Sequence, residues 1–334
     1  MTGYVARRVL AMLLTVLAAV TLLFLLLHAS SASPVNSLPP QVAADPGARD
    51  AFLAERGLDG SLLSQYGRYL GRLARGDLGE SAYDGSSVWE AISVSAPVTL
   101  ELGFMATIVA VVPGIAVGIA AARRHGRWPD GAARVGTLLA ISIPSYWLAV
   151  LCLVLVGERA PDLLPSAGGF RTFSEDPVAN VRSLLLPALV LGLAGFAMIA
   201  RALRTALIEA YESDQVRFAR AMGASERHIL RRVALRAAAP SVVTVVGLVI
   251  ATLASGTVLV EHVFQIPGIG QLMVTAFTRP DYDLALGTAI FTALVFLVLN
   301  LVVDVTIHVL DPRTHRGSVR GTIKDRTPDP AVTP

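Results

Sequence analysis

Residues 214–240 read DQVRFARAMGASERHILRRVALRAAAP, an arginine-rich insert between long apolar segments. On helical angles Val216, Phe218, Ala219 and Met222 fall on one arc, with Arg217 and Arg220 on the opposite side. Gly223 can take the left-handed conformation that ends a helix, and Ser225 is a good N-cap for the next one. In that second helix Ile229, Leu230, Val233 and Ala237 share a face, while Arg227, His228, Arg231 and Arg232 lie away from it. The stretch predicts helix, glycine turn, helix, both parts amphipathic, at a membrane boundary. Three roles fit the pattern: a basic loop that only sets topology, a helix lying on the membrane surface, or an apolar helix face that enters a groove on a partner protein.

The chain around it is built for a bilayer. Of 334 residues, 54% are apolar, and the mean hydropathy of +0.61 is too high for a soluble domain. Apolar runs of bilayer-spanning length recur, and charges sit almost wholly between them. The net charge of +3 calls for no nucleic-acid partner. Lys324 is the only lysine, so a phosphate-binding Gly-Lys-Ser/Thr loop is excluded and any ATP hydrolysis belongs to another polypeptide. Cys152 is the only cysteine, which excludes a disulfide framework and a thiolate metal cluster. The six histidines are scattered, and no Gly-x-Ser-x-Gly, His-Glu-x-x-His or Cys-x-x-Cys occurs. No catalytic or metal-binding residue is therefore assigned.

In chain order, residues 1–8 form a basic N-terminus and 9–29 a retained first span rather than a cleaved signal, because the apolar core is longer than a signal peptide's. Residues 30–97 form a polar extracytoplasmic region. There Leu62, Leu63, Tyr66, Tyr69, Leu70 and Leu73 recur at helical spacing, and Val88, Trp89 and Ile92 start a short helix into span two, residues 98–122. Glu101 in that span either reaches interfacial water or a neighbouring loop, or faces the pore at an outer gate. Span three, 135–156, is interrupted at Ser142 and Pro144, as an ordinary proline kink or a pore-lining bend. Span four, 184–200, carries Gly192 and Gly195 for close helix approach. Span five is 242–260, followed by EHVFQIPGIGQLMVTAF, in which Pro267, Gly268 and Gly270 make a turn before a short surface helix. Phe264 and these three residues are candidates for a lip over the pore or a docking surface. Span six is 284–310. Its Asn300, Asp304 and His308 share one face, to form an interhelical seam or line the pathway. Residues 98–311 make the transmembrane domain, with 205–240 as its coupling segment and 312–334 as a tail. Arginines in both ends and two loops place both termini in the cytoplasm under a six-span count.

Ala219, Gly223, Val233 and Leu235 stand at the spacing of the coupling motif of permease subunits of ABC importers. The surrounding stretch, with QYGRYLGRLARGDLGES, SIPSYWLA and the Pro-Gly-x-Gly loop, resembles the oligopeptide/dipeptide/nickel branch of that family. Arg217 stands where the general motif has Glu, and Arg236 where it has Pro. The resemblance implies an all-α membrane protein of six transmembrane helices, with the type I ABC importer permease fold and a small extracytoplasmic helical region. It implies a place in the bacterial cytoplasmic membrane beside a homologous second permease, two ATPase domains that bind ATP and Mg, and an extracytoplasmic solute-binding protein. The implied cargo is short peptides, with a nickel or metal chelate as the alternative. The implied contacts to the ATPase are Asp214, Val216, Arg217, Phe218, Ala219, Met222, Gly223 and Ala224. A secondary transporter and a membrane-embedded enzyme are the rival classes; few ionisable groups lie in the spans, and Glu101 and Asp304 make a poor catalytic pair.

Overall fold

A computed structural model describes residues 2–29, 42, 44–55, 58–159, 170–279 and 281–310. The linker expected at 33–40 and the tail from 311 lie outside them. Among the described residues the regular elements are helices, with one isolated bridge between Glu80 and Ser87. They run α1 Thr2–Ala29, α2 Pro46–Glu55, α3 Leu62–Leu73, α4 Val88–Arg123, α5 Trp128–Ser142, α6 Ser145–Arg159, α7 Pro177–Glu212, α8 Asp214–Ala221, α9 Glu226–Phe264, α10 Ile269–Thr278 and α11 Tyr282–Leu310. Five are long and apolar enough to cross a membrane, and α5 with α6 makes a sixth if the bent pair is one span.

The helices overrun the expected spans. The short helix expected before span two and the span itself are one 36-residue rod, α4. α7 also has 36 residues. At 1.5 Å per residue each is about 54 Å long, against a hydrocarbon core of about 30 Å. α7 begins on the Asp176 cap, whose carboxylate accepts from the backbone N–H of Val178 and Ala179 at 3.1 and 3.0 Å, with Pro177 in the first turn. The break in span three is far more than a kink: α5 and α6 meet at 94°. Ile143, just before Pro144, is forced out of the helical region to φ −84°, ψ 119°. Ser142 donates to the Leu138 carbonyl at 2.8 Å, the local repair that a serine beside a proline offers.

α4, α7 and α9 form the centre of the bundle, and they approach on small residues. Ala106, Ala110 and Ala188 are fully buried there. A side chain added at Gly192 would place its Cβ 2.7 Å from the Ala106 carbonyl oxygen on α4, and one at Gly195 would lie 2.6 Å from Val249 on α9. Close approach of this kind supplies van der Waals contact where lipid removes most of the hydrophobic driving force. Gly192→Leu should therefore push α4 off α7, since overpacking costs about 1–3 kcal/mol or more. The check is thermal unfolding of the detergent-purified protein, where a midpoint equal to wild type contradicts the packing.

The segment around α3 is fastened to α1 and α11. Of the apolar positions expected on one face of α3, Tyr66, Tyr69, Leu70 and Leu73 pack inward, whereas Leu62 and Leu63 are exposed in its first turn. Tyr66 Oη lies 2.5 Å from Thr21 Oγ1 on α1, and Arg72 pairs with Asp283 on α11 at 3.1 Å. Burial pushes the Tyr69 phenol well above its ordinary pKa. Ser81 donates to Asp281 at 2.6 Å, just before α11 begins.

Candidate functional site

The helix–turn–helix forms as its residues dictate. α8 ends in a Schellman turn: Ala224 N–H donates to the Ala219 carbonyl at 3.0 Å and Gly223 N–H to Arg220 at 2.9 Å. Gly223 holds φ +79°, the left-handed region, with open space where a Cβ would stand. Ser225 Oγ then accepts from His228 N–H at 3.3 Å and caps α9. Arg220 and Glu226 close the turn from outside with a 2.8 Å ion pair, and the Arg220 guanidinium lies 5.9 Å from the Tyr211 ring centre at the end of α7.

The apolar arc of α8 divides. Val216 is fully buried, in a helix that packs on α7 and the start of α9. Phe218 and Met222 are 68% and 73% exposed, and Ala219 is half-buried. With about 100° per residue, Val216 and Phe218 stand roughly 160° apart, too far for one face. Val216 thus anchors the helix, and the outward apolar pair is Phe218 and Met222. Asp214, Arg217 and Gly223 are also exposed, and Ala224 is half-buried. The start of α9 departs from the expected face too. Residues Ile229–Ala234 form a π-helical turn, which holds more residues per turn and advances the phase by about one position. The inward series is therefore Leu230, Ala234, Ala238 and Val242, and Ala237, expected inward, is exposed. From Glu226 the chain continues unbroken to Phe264, so the second helix of the stretch and span five are one rod.

At the opposite end of α9, Gln265 takes φ +54° as a left-handed cap and the chain turns back over the bundle. Pro267 is exposed, but Phe264, Gly268 and Gly270 are buried, so they hold the turn down rather than present it outward. Glu261, fully buried, reaches under the turn and accepts from Gly270 N–H at 2.7 Å and Gln271 N–H at 3.4 Å, capping α10 with a carboxylate. Thr99 on α4 accepts from Ile269 N–H at 2.8 Å. A Cβ at Gly268 would collide with the Glu261 carboxylate, and one at Gly270 with the Val258 backbone. Beneath this turn lies a cavity of about 320 Å³ between α4, α9 and α11, lined by Thr99, Phe104, Thr107, Thr257, Phe291 and Thr292 among others. Its walls are apolar with interspersed hydroxyls and carry no charged side chain.

The residues proposed for the pathway are not brought together. Glu101 accepts from Asn180 Nδ2 at 3.0 Å, which ties α4 to the first turn of α7, and the same amide donates to the Arg171 carbonyl in the loop before it. Ser142 and Pro144 are exposed at the α5–α6 break and do not line the cavity. Asn300 donates to the Phe296 carbonyl of its own helix at 2.9 Å instead of to a neighbour. The side chains of Asp304 and His308 lie outside the described residues. Among the described residues no group of three metal-ligating side chains converges.

Residues 114–316 match the family model described as binding-protein-dependent transport system inner membrane component. The chain belongs to that family of transport permeases. Along nearly its whole length this permease is similar to named relatives. It is 34% identical to a putative peptide transport system permease protein of Brucella suis, over 94% of this chain and 99% of that one. It is 34% identical to the di/tripeptide transport system permease protein DppB of Pseudomonas aeruginosa, over 94% and 98%. The dipeptide transport system permease protein DppB of Escherichia coli is 32% identical over the same shares. Among solved structures, that of the MetNI methionine ABC transporter in inward-facing conformations aligns with a TM-score of 0.49 at 19% identity, over 67% of this chain and 94% of that one. Family membership carries the expected architecture with it, an all-α, multi-pass membrane subunit of an ABC importer that is not itself catalytic.

Two features of the permease escaped the sequence reading. Glu261 offered one signal, a carboxylate shortly before a Pro-Gly helix start. The other is the pair Asp130–Arg204: both Asp130 oxygens accept from the guanidinium, at 2.5 and 2.8 Å, joining the start of α5 to α7. An acidic residue in the first turn after Pro129 was its only trace. Glu261→Ala should loosen α10, because a buried N–H left without an acceptor costs about 1–3 kcal/mol. Glu261→Gln, which keeps an acceptor oxygen, should lose less. Proteolysis of the 265–279 segment in membrane vesicles checks this, and equal resistance of the two variants contradicts the capping role.

Proposed function

We propose that this permease forms half of the translocation pathway of an ATP-driven importer of short peptides. It pairs with a homologous second permease, two ATPase domains that bind ATP and Mg, and an extracytoplasmic solute-binding protein. Both termini lie in the cytoplasm, with α5 and α6 together crossing once. The observation that carries the reading is the exposed pair formed by Phe218 on α8 and Met222 at its C-cap, on a short helix fixed between two rods that run on through the bundle. An apolar helix face of this kind fits a groove on a partner. Asp214, Arg217, Ala219, Gly223 and Ala224 frame it.

In this mechanism the ATPases close on ATP, and each carries its docked α8 with it. Val216 and the Arg220–Glu226 pair keep α8 rigid on the ends of α7 and α9. The motion enters the membrane through those two helices, and the pathway opens outward to receive cargo from the binding protein. Cargo must bind the two states unequally, since equal affinity shifts no population. The turn held by Glu261 and Thr99 forms the outer lip, with Pro267 as its exposed point. Residues 98–311 are the transport unit, with 205–240 as its coupling segment.

Peptide cargo is favoured by the names of the relatives and by a cavity whose hydroxyls suit amide groups while offering no charged metal ligand. The experiment is ATP-dependent uptake by proteoliposomes holding the permease and its partners. Accumulation of a labelled dipeptide or tripeptide is expected. Uptake of a nickel chelate alone, or uptake driven by an ion gradient without ATPases, overturns the proposal.

A further inference from the structure

At the end of the bundle that carries α8, helices α4, α5 and α7 enclose a cavity of about 500 Å³. Arg134 on α5 and Arg201 and Arg204 on α7 all line it. Their charges are not equally compensated. Asp130, buried at this end, accepts from Arg204 with both oxygens, and Oδ2 also accepts from Gly126 N–H. Arg134 and Arg201 have no hydrogen-bond or ion-pair partner from their side chains among the described residues. Beside them the walls are apolar: Val135 and Leu138 are 60% and 57% exposed. Two uncompensated guanidinium groups next to exposed aliphatic surface, at the edge of a bilayer, match a ligand with a phosphate at one end and hydrocarbon at the other. A free phosphate would use the arginines and leave the apolar wall in water.

We infer that this cavity binds the phosphate headgroup of an anionic phospholipid through Arg134 and Arg201, with its acyl chains along Val135 and Leu138. The bound lipid would join the broken span, through α5, to the coupling rod α7 beside the Asp130–Arg204 pair. This inference rests on the membrane setting and not on the cargo, so it stands or falls separately from peptide import.

The test is lipid retention by the permease purified with its partner subunits, read by native mass spectrometry in mixed phosphatidylglycerol and phosphatidylcholine. Wild type should prefer phosphatidylglycerol. Each arginine near the surface is worth about fivefold, so the pair Arg134→Gln with Arg201→Gln should weaken the preference about 30-fold. Arg134→Lys with Arg201→Lys should retain most of it, which separates charge loss from misfolding, and Arg127→Gln, outside the cavity, should leave it unchanged. Excess inorganic phosphate should not displace the lipid. The inference is overturned if wild type shows no preference, if the glutamine pair matches wild type, or if inorganic phosphate strips the lipid and occupies the site in its place.

Discussion

Phe218→Asp should abolish coupled transport while leaving the permease folded and inserted. Phe218 is exposed, so its replacement removes almost no internal packing, and surface changes of this kind usually alter stability by within about 0.5 kcal/mol. In the assembly the same ring would be the anchor of an interface, and losing an aromatic anchor typically costs about 2 kcal/mol or more, roughly 30-fold in association. A buried carboxylate adds a desolvation cost on top. Substrate-stimulated ATP hydrolysis and uptake by reconstituted complexes should both fall at least ~10-fold. Val216→Asp makes the informative contrast: it buries a charge inside the permease itself, so it should reduce the amount of folded protein. Normal uptake by Phe218→Asp would remove α8 from the coupling route.

The second large effect is expected at Gly223. Its φ of +79° places any L-residue in the left-handed region, at a cost of about 1–2 kcal/mol, and a β-branched side chain is worst there. Nothing lies within 4 Å of an added Cβ, so volume is not the obstacle; the backbone is. The order of activity should be Gly, then Asn, then Ala, then Val, since Asn tolerates this conformation better than Ala. Gly223→Val should insert normally and lose substrate-stimulated ATPase activity. If Asn and Val were equally impaired, side-chain size and not the turn would be the cause.

The sequence revealed directions better than neighbours. Spacing alone identified the helix–turn–helix, the Gly223 turn, the Ser225 cap and the close approach at Gly192 and Gly195, because each rests on local backbone chemistry. The split of the α8 arc was legible too, since Val216 and Phe218 stand roughly 160° apart on the wheel, but which of them faces inward was not, because a wheel does not say where α7 lies. The π-helical turn at Ile229–Ala234 has no composition of its own, so the phase advance that exposes Ala237 was invisible. Pro144 announced a break but not its 94°, which is set by what α5 and α6 each pack against. Glu101 and Asn300 stood out as polar residues in apolar runs, yet each is satisfied nearby, on Asn180 and on its own helix. Asp130 drew no notice because it meets Arg204 only in the fold, whereas Glu261 was missed although its partners Gly270 and Gln271 follow closely in sequence, since nothing local says that its carboxylate turns back over them.

Coupling requires that an ATPase hold α8. With Cys152→Ser as background, Met222→Cys and Gln215→Cys give permeases with a single exposed thiol each. Maleimide labelling of the two, in membranes with and without the ATPase subunits, is the direct measurement. The expected result is protection at both positions when the ATPases are present, strongest at 222, because 215 and 222 stand seven residues apart on one helix face. Labelling at 222 that proceeds at the same rate with and without them would contradict the account.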